Sequence, residues 1–488
     1  MLFNSHIFIF LFLPLTLIGF YLIKRANARA AKIWLIGMSL WFYGYFNTGY
    51  LAIMIVSVLF NYAIYVLMKR TGKPAALKIT LTVGIVGNLA LLMYFKYTDF
   101  LIDSCNRIFT LNIPLKNILL PLGISFFTFQ QIGFLADAYR GEVKECGFVD
   151  YALFVTFFPQ LIAGPIADNK SMMPQYEGIK KGKDFDTEVF CKGAMLFILG
   201  LCKKVLLADT FGKSVDYAYT NLSYGINSIE ALLAILFYTL QLYFDFSGYC
   251  DMALGIGMMF GIDIPVNFDS PYKSRNIGEF WRRWHITLNR FLTDNIYIPL
   301  GGSRKGEVRT YINIFLVFLI SGIWHGAGVT FIVWGLMHGI MSIITRLIRT
   351  KIRIELNGVI SHIITFVFVC LAWVFFRADT VSQALDMIKT AFAGTFTRPG
   401  EDFMSGFNSG EFWYVLKICH LTTLSFGRYI LMIAFTLAGT VMVFFLPNAR
   451  QIAGKARLNI INGIIFGALL AWCIISLSGV STFLYFNF

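Results

Sequence analysis

Residues 312–344 read INIFLVFLISGIWHGAGVTFIVWGLMHGIMSII: two apolar runs, 312–324 and 330–344, parted by Gly326 and Gly328, with no Asp, Glu, Lys or Arg in either. In hydrocarbon every backbone N–H and C=O must be paired within the segment, so the runs predict two helices with the glycines at the turn. Ten further runs read the same way: 6–23, 33–46, 49–68, 77–95, 119–136, 190–208, 229–248, 358–376, 429–446 and 460–477. At about 20 residues per crossing, the chain is expected to be an all-α polytopic membrane protein with about 12 spans.

Composition agrees. Of 488 residues, 57% are hydrophobic, 17% aromatic and 14% charged, against about 25% charged in a soluble domain. Residues 1–488 are therefore read as one integral membrane domain, with 378–428 as an external loop and 479–488 as an external aromatic tail. The 41 Lys and Arg against 27 Asp and Glu leave a net charge of +14, which in a soluble chain would suggest nucleic acid. Here the basic residues collect in loops. Lys24, Arg25, Arg29 and Lys32 form one cluster and Lys69, Arg70, Lys73 and Lys78 another, while the turn 45–50 is uncharged. The positive-inside rule puts these loops in the cytoplasm and both termini outside. Membrane lipid, not nucleic acid, is the expected partner. The 8 cysteines are scattered through apolar runs without zinc or disulfide spacing, so no metal and no permanently bound cofactor is expected.

Two segments do not read as plain crossings. Residues 157–165 are apolar but hold Pro159 and Pro165, and 280–299 are aromatic yet carry Arg282, Arg283 and Arg290. Such backbone at membrane depth needs protein or a water-filled cavity around it, so both are expected to be re-entrant. A continuous helix through 280–292 would put Phe280, Trp281, Trp284, His285 and Leu288 on one face and the three arginines away from it. That helix either anchors at the headgroups or lines a cavity where arginine forks hold a phosphate-bearing ligand.

His325 ends the run 312–324 at the glycine cluster. An ionisable side chain within a membrane marks function, and an imidazole buried away from acids stays neutral and able to accept a proton. The alternative for His325 is a hydrogen bond across a small-residue helix contact, which is the preferred reading of His338 on the next helix. His6, His362 and His420 have no polar context and are read as structural. Asp245 and Asp251 need a charged partner, for which the arginines are the expectation. Nucleophile-elbow, zinc-pair and phosphate-loop signatures are absent from the sequence.

Asn267-Phe-Asp-Ser-Pro-Tyr272, Glu279-Phe-Trp-Arg-Arg-Trp-His-Ile-Thr-Leu288, Tyr297-Ile-Pro-Leu-Gly-Gly-Ser-Arg-Lys305 and Gly322-Ile-Trp-His-Gly-Ala-Gly328 together resemble the membrane-bound O-acyltransferase (MBOAT) family. The best match is the bacterial branch holding the membrane subunits of alginate and peptidoglycan O-acetylation. Phe158-Pro-Gln-Leu-Ile-Ala-Gly-Pro165 and Tyr243-Phe-Asp-Phe-Ser-Gly-Tyr249 look like further blocks of it. The resemblance implies a multi-pass protein of the bacterial inner membrane, with a ring-like helical core around a central tunnel. It implies His325 as the catalytic residue and His285 as a second active-site histidine. Trp281, Arg282, Arg283, Trp284, Trp324 and His338 are then expected to bind donor or substrate.

The implied reaction moves an acyl group, acetyl in the first instance, from a cytoplasmic thioester such as acetyl-CoA to an external serine-hydrolase-like partner and on to a cell-envelope polysaccharide. His325 is expected to act as general base, with His285 orienting the donor or donating to the oxyanion. Arg304, Lys305 and Arg309 either receive the phosphates of coenzyme A or form an ordinary positive-inside loop. The tail Ser481-Thr-Phe-Leu-Tyr-Phe-Asn-Phe488 resembles a motif whose tyrosine carries the acyl group, which makes Tyr485 the carrier candidate; an aromatic belt is the plainer alternative. D-alanyl transfer to teichoic acid and a non-enzymatic transporter or flippase are the competing functions.

Overall fold

The computed structural model describes residues 1–180, 185–352, 357–407, 417–418, 427–477 and 483–484. Tyr485, His420 and much of the expected loop 378–428 lie outside the described residues. Every regular element among the described residues is helical. The backbone divides into two compact units whose segments interleave along the chain.

One unit comprises residues 1–197, 252–266 and 290–296. It contains α1 (Phe8–Ala26), α2 (Ala28–Gly44), α3 (Thr48–Arg70), α4 (Pro74–Phe109), α5 (Ile124–Tyr139), α6 (Phe148–Thr156), α7 (Phe158–Leu161), α8 (Asn169–Glu177) and most of α9 (Thr187–Cys202). Asn27 sits between the first two helices and caps α2, its side chain accepting from the N–H groups of Arg29 and Ala30. Phe12, Phe42 and Phe158 pack within 5.6 Å of one another and are buried. This places the proline-broken 157–165 stretch inside protein, as irregular backbone in lipid requires. Asn61 and Asn88 exchange side-chain hydrogen bonds of 3.1 and 2.6 Å, so neither buried amide is left facing hydrocarbon.

The other unit comprises residues 198–251, 267–289 and 297–488. A π turn (Lys203–Ala208) leads from α9 into α10 (Asp209–Asn221). It is followed by α11 (Ser228–Met259), α12 (Ile277–Arg283), α13 (Ile286–Leu292), α14 (Glu307–His325), α15 (Val329–Ile352), α16 (Gly358–Arg377), α17 (Val381–Ala393), α18 (Gly427–Phe444), α19 (Ala449–Lys455) and α20 (Ile460–Ser476). Among the described residues eight helices are long and apolar enough to cross a membrane: α1, α3, α4, α11, α14, α15, α16 and α18. The other four apolar runs form α2, α5, α9 and α20, of 16 or 17 residues. At 1.5 Å per residue these reach about 25 Å, just short of a ~30 Å hydrocarbon core.

The hairpin expected in 312–344 is α14 and α15. A Cβ on Gly322 would collide with the carbonyl oxygen of Phe331, and one on Gly335 would lie 2.5 Å from that of Phe318. These glycines thus serve close backbone approach between the two helices. Within 378–428 the structure adds α17, capped by Thr380, whose hydroxyl accepts from the Gln383 N–H at 3.1 Å. Ala384, Met387 and Ala391 form its buried stripe.

The aspartates of α11 are paired by lysines, not by the expected arginines. Lys203 Nζ lies 2.6 Å from Asp251, and Lys204 Nζ lies 2.7 Å from Asp245 and 2.8 Å from Asp209. The lysines are within reach because the π turn presents two successive basic residues to α11.

Candidate active site

The stretch expected to be one helix through 280–292 is two. Asn276 starts α12 by accepting from the Glu279 N–H, and the helix stops at Arg283. Trp284 is extended, and His285 has φ of +46°, a left-handed conformation uncommon for any residue but glycine or asparagine. Such a backbone costs about 1–3 kcal/mol and persists where its surroundings fix it. The fixing strand of chain is 267–269: the Ile286 N–H donates to the Asn267 carbonyl and the Asp269 N–H to the Arg283 carbonyl, both at 3.0 Å.

The break delivers His285 to a fully buried position. Its Nδ1 is 3.1 Å from Asn267 Oδ1, which also accepts from the Thr287 N–H at 3.2 Å and the Thr287 hydroxyl at 3.0 Å. An amide oxygen only accepts, so Nδ1 carries the proton and the neutral ring offers Nε2 as an acceptor. His285 lies outside the eight crossing helices, and burial pushes its pKa well below the ordinary imidazole range. A neutral ring in this tautomer does not suit the oxyanion-donor role expected for it. Orientation or proton acceptance does.

His325 is the last residue of α14 and is buried. Its ring centroid is 6.2 Å from that of His285, with Trp324 and Trp334 each at 4.9 Å and Phe376 at 5.3 Å. Two of the six histidines thus meet inside an aromatic box, with Trp324 also 6.0 Å from His285. His338 stands one ring further out. Trp334 lies 4.9 Å from both His325 and His338, and His338 Nδ1 accepts from Trp281 Nε1–H at 3.2 Å. Trp284 is fully buried against Trp373 at 5.0 Å. Trp281, Trp284 and His338 therefore pack and orient the box around the histidine pair.

Of the expected phosphate-binding arginines, Arg282 is exposed. Arg283 is engaged by Glu279 at 3.0 Å and Asp269 at 3.6 Å, and Arg290 by Asp168 at 3.0 Å. Sequence reasoning assigned no role to Asn267, Trp334, Trp373 or Phe376. Asn267 belongs to the stretch 267–272, but only its hydrogen bond with His285 ties it to the histidine pair. No group of three His, Cys, Asp or Glu side chains able to hold a metal occurs among the described residues.

The tautomer gives a pH prediction. In Asn267→Asp a carboxylate beside Nδ1 stabilises the imidazolium and raises the His285 pKa. A reaction that uses the neutral ring then loses rate on the acid side, so the acid limb of the pH–rate profile moves up by about one unit or more. Acyl-transfer rates of both proteins between about pH 4 and 8 check this; coincident acid limbs across that range count against a working role for neutral His285.

Comparison with known proteins gives a consistent picture. Residues 35–379 match the family model described as MBOAT, membrane-bound O-acyltransferase family. The chain is 39% identical to a peptidoglycan O-acetyltransferase of Helicobacter pylori, over 100% of this chain and 98% of the relative. It is also 39% identical to the probable alginate O-acetylase AlgI of Pseudomonas aeruginosa, over 80% of this chain and 75% of the relative. A teichoic acid D-alanyltransferase of Streptococcus thermophilus is 29% identical over 45% of this chain and 55% of its own length.

Proposed function

This chain belongs to the membrane-bound O-acyltransferase family, and from that premise we propose that it carries an acetyl group from a cytoplasmic acyl thioester, acetyl-CoA in the first instance, to hydroxyls of a cell-envelope polysaccharide. The protein is a multi-pass membrane enzyme of O-acyl transfer. Family membership weighs against a transporter or flippase. The observation that best supports the finer reading is the meeting of His285 and His325, 6.2 Å apart between ring centroids, in a buried aromatic box.

Acyl transfer from a thioester requires a deprotonated hydroxyl held against the carbonyl carbon. His325 takes the proton from that hydroxyl, the new C–O bond forms, the C–S bond breaks, and the proton passes from His325 to the departing thiolate. His285, fixed by Asn267, orients the reacting group through Nε2. The surrounding tryptophans and Phe376 exclude water, which otherwise hydrolyses the thioester.

The first hydroxyl is that of Tyr485. A phenol of pKa near 10 is a poor nucleophile at pH 7 without an adjacent base, and His325 supplies one. The acyl group then passes to the serine of an external hydrolase-like partner and on to the polymer, with both termini of this chain outside the bacterial inner membrane. Acetyl is preferred to D-alanyl because identity is higher and coverage fuller with the acetylating relatives than with the D-alanyltransferase.

The expected result for Tyr485→Phe is loss of transfer. In the native protein supplied with acetyl-CoA, mass spectrometry of the C-terminal peptide shows one acetyl adduct on Tyr485. An active Tyr485→Phe enzyme together with an unmodified peptide removes the carrier role.

A further inference from the structure

The charge cluster of the second unit has no place in the chemistry above, yet it is built around a single piece of chain. Lys204 is buried and bridges Asp209 and Asp245 through one Asp245 oxygen, Oδ1, at 2.7 Å. The other oxygen, Oδ2, accepts the backbone N–H of Leu484 at 3.0 Å. Lys204 Nζ also stands 4.8 Å over the ring of Phe483, and Tyr249 meets the same ring edge-on at 4.8 Å and 88°. Phe483 is itself buried. Two residues of the C-terminal tail are thus gripped by a carboxylate, an ammonium and an aromatic ring, all from α11 and the π turn.

The position of the grip is informative. Asp245 and Tyr249 are one turn apart on α11 and share a face. Phe246 and Cys250, one residue further along in each case, face the active-site histidine and its partner: Phe246 lies 4.9 Å from His285, and the Asn267 amide N–H donates to Cys250 Sγ at 3.6 Å. One helix therefore holds the tail on one face and the His285 assembly on the next. Buried ion pairs are poor devices for stability alone, since desolvation offsets most of the attraction. A carboxylate already neutralised by lysine, with one oxygen to spare, is well suited to accept a backbone amide.

We propose that Lys204 and Asp245 form a clasp that docks Phe483 and Leu484 of the C-terminal tail, making them positioning residues for delivery of the acyl group through the next residue in sequence, Tyr485. The proposal rests on Tyr485 as acyl carrier. The clasp itself can be read independently of that chemistry.

The test uses full-length protein in detergent or nanodiscs, with Asp245→Asn as the first variant and Phe483→Ala as the second, since the latter alters only the tail. Hydrogen exchange of the C-terminal peptide without donor reads docking. The Leu484 amide is expected to exchange at least ~10-fold faster in both variants, while the amides of α14 keep their protection. Acetyl occupancy of Tyr485 and kcat are expected to fall together, with the KM for acetyl-CoA unchanged; a general structural defect would move KM and α14 exchange as well. Unchanged Leu484 exchange in both variants overturns the clasp, and faster exchange with undiminished Tyr485 acetylation overturns its part in transfer. Leu484 protection that depends on Asp245, in a protein that never acetylates Tyr485, removes its delivery role and the carrier reading while leaving a docked tail.

Discussion

Replacing His325 with alanine is expected to lower acyl transfer about 10²- to 10⁴-fold, the range that a positioned general base contributes. The side chain ends α14 and stands among four rings at 4.9–6.2 Å. Its loss leaves a void in an aromatic box but cuts no helix. Inserted, monodisperse protein is therefore expected in normal amount, with acetyl-CoA still bound and no product formed. A His325→Ala enzyme that transfers at the native rate would move the base elsewhere, and His285 with its acceptor Nε2 would be the next residue to examine. His285→Ala is expected to be less specific, because it also removes the Asn267 contact at a left-handed backbone position that alanine tolerates no better.

Gly322→Val is expected to cost nearly as much activity by a different route. A Cβ there meets the Phe331 carbonyl, and the Gly335 Cα lies 3.2 Å from it. Valine forces α14 and α15 apart, with an overpacking cost of about 1–3 kcal/mol or more. His325 stands one turn further along α14 and Trp334 is the neighbour of Gly335, so the separation opens the contact between them. A displacement of about 1 Å at a catalytic group is enough for a ~10²-fold loss. Thermal unfolding and transfer assays are expected to report a lowered midpoint together with that loss. Gly467→Ala serves as the control, because nothing lies within 4 Å of a Cβ there; it is expected to be neutral or slightly stabilising. If Gly322→Val behaves like the control, the close approach of the two helices is not needed to place His325.

How much of this was legible beforehand depends on the kind of signal. Helices α14 and α15 followed from apolar runs and a glycine-marked turn, since lipid leaves the backbone no other way to pair its groups. His285 and His325 stood out because few polar side chains remain inside so apolar a chain. The break at Trp284 and His285 was not legible. The amphipathic pattern of 280–292 continues through it, and the signal for a break, a glycine or proline, is missing at that point. What imposes the break is pairing to 267–269, a long-range contact that periodicity does not carry. The same holds for Asp245 and Asp251. Their lysine partners lie in an apolar run ending at Ala208, where Lys203 and Lys204 read as interruptions of a span until the π turn brings them to α11.

The Asn267 contact shows the same limit in reverse. The residue type is common, and nothing local marks it, but one oxygen accepting from His285, the Thr287 N–H and the Thr287 hydroxyl fixes both a tautomer and a ring orientation. Family resemblance named the histidines. The bond to Asn267 is a long-range contact that no local pattern carries.

Acyl transfer by His325 leaves a covalent record. Membrane vesicles holding the full-length protein and its envelope polysaccharide are supplied with acetyl-CoA labelled in the acetyl group, and the polymer is then recovered and treated with mild base. Label is expected in the polymer as a base-labile ester, formed by the native protein and absent with His325→Ala. Label that never enters an ester on the polymer with the native protein, or that enters equally with His325→Ala, would contradict acyl transfer by His325.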